Sequence, residues 1–134
     1  RSRKLEADAE GQLLQKLYTY LEKEKSYVNP KLKVDEVALA IQSTQKEIAA
    51  ALKKNKNQNF TACINQFRIE EVIRLFNDLQ YDHYKLEAIA TMAGFGSKQS
   101  FYTAFESVVG VKPAFYRQKV VDDLKAKNNA IIAS

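Results

Sequence analysis

Five polar side chains set close together, Lys98, Gln99, Ser100, Tyr102 and Thr103, carry the donors and acceptors that meet the edges of DNA bases. A glutamine amide pairs bidentately with adenine, a lysine meets guanine or a phosphate, and a hydroxyl meets either. Ser97, just ahead of them, stands where the free N–H groups of a helix start favour a phosphate oxygen. Interleaved with these are Ile89, Phe101 and Phe105, with the small Ala90 and Ala93. That apolar set closes a short helix, a glycine-bearing turn (A93-G-F-G-S97) and a second helix, leaving the polar face free to enter a groove. The chemistry on offer is recognition. No paired-carboxylate motif, glycine-rich phosphate loop or nucleophile–base pair is present, so an enzyme is not expected.

The same ladder occurs upstream, in V34-D-E-V-A-L-A-I-Q-S-T-Q-K-E-I-A-A-A-L-K-K-N-K-N-Q-N-F60. With Thr44 set on Ser97, Ile48 falls on Phe101, Leu52 on Phe105, Asn57 on Gly110 and Phe60 on Pro113. Ahead of the turn the frame shifts by one residue and pairs Val37-Ala38 with Ile89-Ala90. Two ladders with matching exits imply two copies of one helical unit. The face matching the first set is then Thr44, Gln45, Lys46, Ala49 and Ala50.

The second copy, I89-A-T-M-A-G-F-G-S-K-Q-S-F-Y-T-A-F-E-S-V-V-G-V-K-P-A-F-Y-R117, resembles the signature of the AraC/XylS family of bacterial transcription regulators. The resemblance runs from about Leu32 to Arg117 and includes F60-T-A-C-I-N-Q-F-R-I-E-E-V-I-R-L-F76, which in that family is a long helix joining two helix-turn-helix subdomains. The segments E22-K-E-K-S-Y-V-N-P-K-L32 and Y81-D-H-Y-K-L-E-A-I-A90 are similar to a Bacteroidetes-type subgroup, in which the domain often ends a larger sensor, sometimes one with membrane spans. The resemblance implies sequence-specific binding of double-stranded DNA by a promoter-binding activator, with RNA polymerase as a further partner. It implies a monomeric fragment in the cytoplasm, no cofactor, and an effector response and dimerisation in an N-terminal part outside these residues. The absence of an initiator Met fits a piece of a longer protein.

The expected fold is all-α: two homeodomain-like helix-turn-helix subdomains, residues 31–60 and 81–126, joined by a connecting helix within 61–80. An N-terminal amphipathic helix and linker occupy 1–30, and a tail, 127–134, has no evident packing partner and is expected to fray. A chain of 134 residues can hold two small lobes, and 4 glycines with 2 prolines are few for a turn-rich β protein. With 46% hydrophobic and 28% charged residues the composition is that of a globular domain. A net charge of +5 favours a polyanionic partner, though modestly. No apolar run reaches the ~18 residues of a membrane span.

Helices are expected at about Asp8–Ser26, Val34–Ile41, Gln45–Lys54, Thr61–Asn77, Leu86–Ala93, Lys98–Val108 and Ala114–Lys125. The first carries Leu13, Leu14, Leu17 and Leu21 on one stripe. Asn29-Pro30 bars its continuation, because the residue before a proline leaves the α region. Thr44 caps the third, and Glu47 three residues on completes a capping box. Asn57 and Gly110 both suit a left-handed exit. Buried positions of the connecting helix are Ile64, Phe67, Val72, Leu75 and Phe76. At ~17 residues that helix spans ~25 Å, enough for recognition helices 45–54 and 98–108 to reach successive major grooves.

Departures from the family pattern bear on affinity. Arginine or polar residues common at the positions of Ala49 and Ala50 are replaced by methyls, which offer contact to thymine at most. An arginine and a lysine common in the second recognition helix are replaced by Thr103 and Glu106, and Glu106 would repel phosphate. Lys33 and Lys85 precede the short helices where Ser or Thr would cap, a loss worth about 0.5–2 kcal/mol each. Arg68 and Arg74 fit pairing with Glu36, Glu71 or Asp78 better than contact with phosphates, and Lys53, Lys54 and Lys56 fit a solvated face or backbone attraction. Cys63, the sole cysteine, matches Tyr116 of the second copy and fits a small core residue; His83, the sole histidine, fits packing or capping, not a metal site. The alternative function is a helical protein-interaction module of a sensor, docking through Tyr18, Tyr20 and Leu21.

Overall fold

The structure, a computed structural model, describes residues 2–133, with side chains described from Ala9 onward. Its helices are α1 (Ser2–Glu24), α2 (Val34–Ala40), α3 (Gln45–Lys56), α4 (Phe60–Phe76), α5 (Leu86–Met92), α6 (Lys98–Val109) and α7 (Pro113–Ala133). Short 3-10 turns lie at Ser26–Val28 and Leu79–Tyr81, and no strand occurs among the described residues. The all-α expectation holds. The chain divides within α4 into two compact units, Arg1–Asn65 and Gln66–Ser134.

In the first unit α1 packs on α3. Leu14, Leu17 and Leu21 recur at one-turn spacing and are buried, as are Val37, Ile41, Ile48, Ala51 and Leu52 across from them. Leu13, expected on the same stripe, lies at its margin and is half-buried. Helix α1 stops at Glu24 because Lys25 takes a left-handed φ of 51°. Leu21 is fully buried, so of the three residues assigned to partner docking it is spent on the core. Cys63 is 1% exposed and fills a small core position, as its sequence context implies.

The two turns show how the repeat is built. In the first, Ile41 N–H donates to Val37 O and Ser43 N–H to Ala38 O, with Gln42 between them at φ 57°. In the second, Ala93 N–H donates to Ile89 O and Phe95 N–H to Ala90 O, with Gly94 at φ 106°. Gln42 and Gly94 are therefore the same position, and Ser43 matches Phe95. The next helix is capped by Thr44 in one copy and Ser97 in the other. Gly96 is the extra residue that causes the frame shift. The exits also match: Asn57 and Gly110 take φ 49° and 89°, and Phe60 and Pro113 are each the first residue of the following helix.

A left-handed conformation costs a residue with a Cβ roughly 1–2 kcal/mol, which glycine avoids. Gln42→Gly is accordingly expected to raise the stability of the first unit by about 0.5–1 kcal/mol, the gain being offset in part by the freer unfolded chain. Gln42→Val should lower stability. Urea midpoints of the two variants check both signs.

In the second unit Ile69, Val72, Leu75, Phe76, Ile89, Phe101 and Phe105 form one cluster around a group of rings. The Phe105 centroid lies 5.7 Å from Tyr116, 5.9 Å from Phe101 and 6.1 Å from Phe76, all within the range of favourable ring contact. Arg117 Nη2 donates to the carbonyls of Tyr81 (2.9 Å) and Asp82 (3.1 Å), and its guanidinium lies 5.6 Å from the Phe76 ring centroid. It ties α7 to the turn ahead of α5. Burial lowers its pKa, and nearby Asp82 opposes that shift.

Three details differ from the sequence reading. On α4, Ile69 is buried while Phe67, just past the boundary between the units, is half-buried. That helix starts at Phe60, capped by Asn59, whose Oδ1 accepts from Ala62 N at 2.8 Å. Helix α7 runs to Ala133, although every side chain from Lys125 to Ala133 is exposed. No glycine or proline interrupts it after Pro113, and the helix continues past Lys125, where the sequence reading ended it.

Candidate nucleic-acid interface

Ile48, Ala51 and Leu52 hold the inner face of α3, which turns the intervening residues outward. Gln45, Lys46, Ala49 and Ala50 are all exposed, as is the cap Thr44. Thr44 Oγ1 accepts from Glu47 N at 3.1 Å. The expected capping box is only half formed. Glu47 Oε1 accepts from the hydroxyls of Thr44 (3.0 Å) and Ser43 (3.4 Å), where the box would have it take the backbone N–H of the cap. Both lone-pair bonds hold that carboxylate at the helix start.

On α6 the inner face is Phe101, Ala104 and Phe105. Ser97, Lys98, Gln99, Ser100 and Thr103 are exposed, whereas Tyr102 is half-buried, edge-on to Phe101 at 5.2 Å. Ser97 Oγ accepts from Ser100 N at 3.1 Å, and the Ser100 hydroxyl donates to Ser97 O at 2.9 Å. The Ser97 hydroxyl donates in turn to Ser100 Oγ at 3.0 Å. These two serines are engaged with each other, so a base would have to draw the Ser100 hydroxyl away from Ser97. Gln99 and Thr103 make no hydrogen bond among the described residues, and their polar groups are available.

Lys98 is held from two sides. Its Nζ lies 3.5 Å from Glu87 Oε1, across from α5, and 5.7 Å from the centroid of the Tyr102 ring. Sequence reasoning did not single out Glu87. The signal was an acid in the first turn of α5 facing a lysine in the first turn of α6, visible only once the two helix starts are brought together. The Glu87 carboxyl is held below the usual carboxylate range, first by a hydrogen bond from its own backbone N–H and then by Lys98. Glu106 is exposed on the same helix.

Neither Lys33 nor Lys85 makes a side-chain cap bond. The acids Asp35 and Glu36, and Glu87, lie in the first turns they precede, where they favour the positive end of a helix. On α4, Arg74 pairs in a two-pronged contact with Glu71 (2.7 and 2.8 Å). Arg68 lies 5.9 Å from the Phe95 ring centroid, and burial lowers its pKa. Lys53, Lys54 and Lys56 are exposed at the end of α3, with Lys54 3.5 Å from Glu10. His83 is exposed, edge-on to Tyr84 at 4.7 Å and 3.7 Å from Asp82, and it caps no helix. No group of three metal-ligating side chains occurs among the described residues, and no helix there is long and apolar enough to cross a membrane.

A profile of the helix-turn-helix domain matches residues 37–119, a span that holds both turns and both capped helices. Among solved structures, the C-terminal domain of the two-component response regulator yesN from Fusobacterium nucleatum is 21% identical, with a TM-score of 0.63 over 79% of this chain and 98% of that one. A protein of unknown function from Listeria innocua is 18% identical, with a TM-score of 0.62 over 78% and 94%. At these identities the likeness is one of fold. No curated protein sequence matches. With the profile spanning more than half of the residues and both halves of the duplicated motif in place, the chain belongs to the AraC-type helix-turn-helix family of transcription regulators.

Proposed function

We propose that the chain is the sequence-reading output domain of a bacterial transcription regulator, with α3 and α6 as recognition helices in major grooves of duplex DNA. The observation that carries this reading is the pair of capped helices, each with its apolar face buried and its polar face exposed and equipped for base edges. Most discrimination falls to α6, where Gln99 and Thr103 have uncommitted polar groups and Lys98 sits at the first turn. Ala49 and Ala50 offer only methyls, so α3 chiefly positions the protein through Gln45, Lys46 and the helix start. The parent protein would supply signal sensing and dimerisation, and RNA polymerase would be the further partner.

Selection of bound duplexes from a random pool at near-physiological salt tests the proposal. The expected result is a motif of two short elements about one helical turn (~10 bp) apart, the α6 element being the more sharply defined. Binding without enrichment would limit the chain to backbone affinity. Absence of binding even at low salt, where phosphate contacts are strongest, would overturn the reading in favour of a helical interaction module.

A further inference from the structure

We propose that the open side of α1 is a docking site for an acidic amphipathic helix of a partner protein, separate from the faces assigned to DNA. Gln12, Lys16, Thr19 and Lys23 recur on one stripe of α1 and, with Tyr20, wall a groove of about 500 Å³ against Ala40 and Ile41 at the end of α2. Tyr20, Ala40 and Ile41 give it an apolar floor, and Lys16 and Lys23 are the only charged residues lining it. Leu39 precedes Ala40 on α2 and, though it does not line the groove, is 80% exposed, more than any other large apolar side chain among the described residues. An apolar floor, an outlying leucine and a rim of one sign are what a helix with one greasy and one acidic face requires.

The groove is also long enough. A second hollow of about 460 Å³ shares Gln12, Lys16 and Ile41 with the first but runs on to Glu47 and to Ala50, a residue of the α3 face assigned to DNA, so the docking site is the first hollow alone. From Gln12 to Lys23 the axis of α1 rises ~16 Å, the length of about three helical turns. The charges set a direction. Glu10 and Glu47 border the far hollow, and Glu10 is already faced by Lys54 at 3.5 Å. Carboxylates of the incoming helix therefore belong at the Lys16–Lys23 end. A phosphate backbone would gain nothing from Leu39 and Tyr20, which argues for a protein segment over nucleic acid.

The probe is a fluorescein-labelled helical peptide of about 16 residues, with leucines on one face and glutamates and aspartates on the other. Anisotropy and amide spectra of the whole chain give affinity and location together. The proposal expects saturable binding, with shifts centred on Lys16, Tyr20, Lys23 and Leu39–Ile41. Leu39→Asp, and the pair Lys16→Glu with Lys23→Glu, should each weaken binding about fivefold or more. Both variants alter exposed residues, and unchanged thermal melting shows that they remain folded. Equal binding of the same peptide with lysines in place of its acids would overturn the proposal. So would shifts confined to α3 and α6, no binding at all, or sedimentation showing that the groove is covered by a second copy of the chain.

Discussion

Gln99→Ala is expected to reduce affinity for the selected duplex while leaving affinity for scrambled DNA nearly unchanged. A bidentate amide–adenine pair is worth about 1–3 kcal/mol of discrimination, or roughly a 5- to 150-fold loss on the selected site. Lys98→Ala should behave differently, weakening binding to every sequence and flattening the salt slope by about one. Its effect is compounded by Glu87, whose carboxylate lies 3.5 Å from the lysine and would be left without that partner beside the duplex. Because that carboxyl is held below the ordinary carboxylate range, it stays charged throughout neutral pH and titrates only in acid. Glu87→Gln in the Lys98→Ala background should therefore recover part of the lost non-specific affinity. Salt-titrated anisotropy on selected and scrambled duplexes separates these effects. A uniform loss across sequences for Gln99→Ala would remove it from base recognition.

Phe105→Ala should be the most damaging single change to the fold. The side chain is fully buried and its ring faces Phe76, Phe101 and Tyr116. Truncating a buried phenylalanine costs about 3–5 kcal/mol through lost burial and the cavity left behind. That is a large share of the roughly 5–15 kcal/mol by which a domain is stable. Phe105→Leu, which keeps most of the volume, should cost under about 1.5 kcal/mol. Urea unfolding followed by amide exchange reads both, and the second-unit amides of α6 should lose protection first in the alanine variant. If alanine and leucine cost the same, ring packing is not what holds this core.

The duplicated core was legible in the sequence because it depends on side-chain type at fixed spacing. Ile48, Leu52, Phe101 and Phe105 all proved fully buried, and Asn57 and Gly110 both took the left-handed exit. The frame shift was also visible, but its cause was not. Gly96 emerged as the inserted residue only when Gln42 and Gly94 shared a backbone conformation, and glutamine gives no sign of adopting positive φ. Side-chain commitments were the least legible part. Ser100 has the chemistry to meet a base, yet its hydroxyl is engaged with Ser97. Lys98 looks free along the chain, yet Glu87 reaches it from another helix. The extent of α7 was missed for another reason: no glycine or proline marks an end near Lys125, and a search for packing partners does not register where a helix stops.

The exposed methyls of Ala49 and Ala50 separate two tasks that are usually entangled. Packing of α3 rests on Ile48, Ala51 and Leu52, so what stands at positions 49 and 50 carries little of the unit's stability. Substitutions there should be tolerated by the fold, and single changes could lengthen or redirect the side chains offered to DNA. The first unit is in that sense a writable surface. On the proposed docking, a lineage could move its regulator from one operator to another through these two positions, and a designer could recode them, without first having to restabilise the domain.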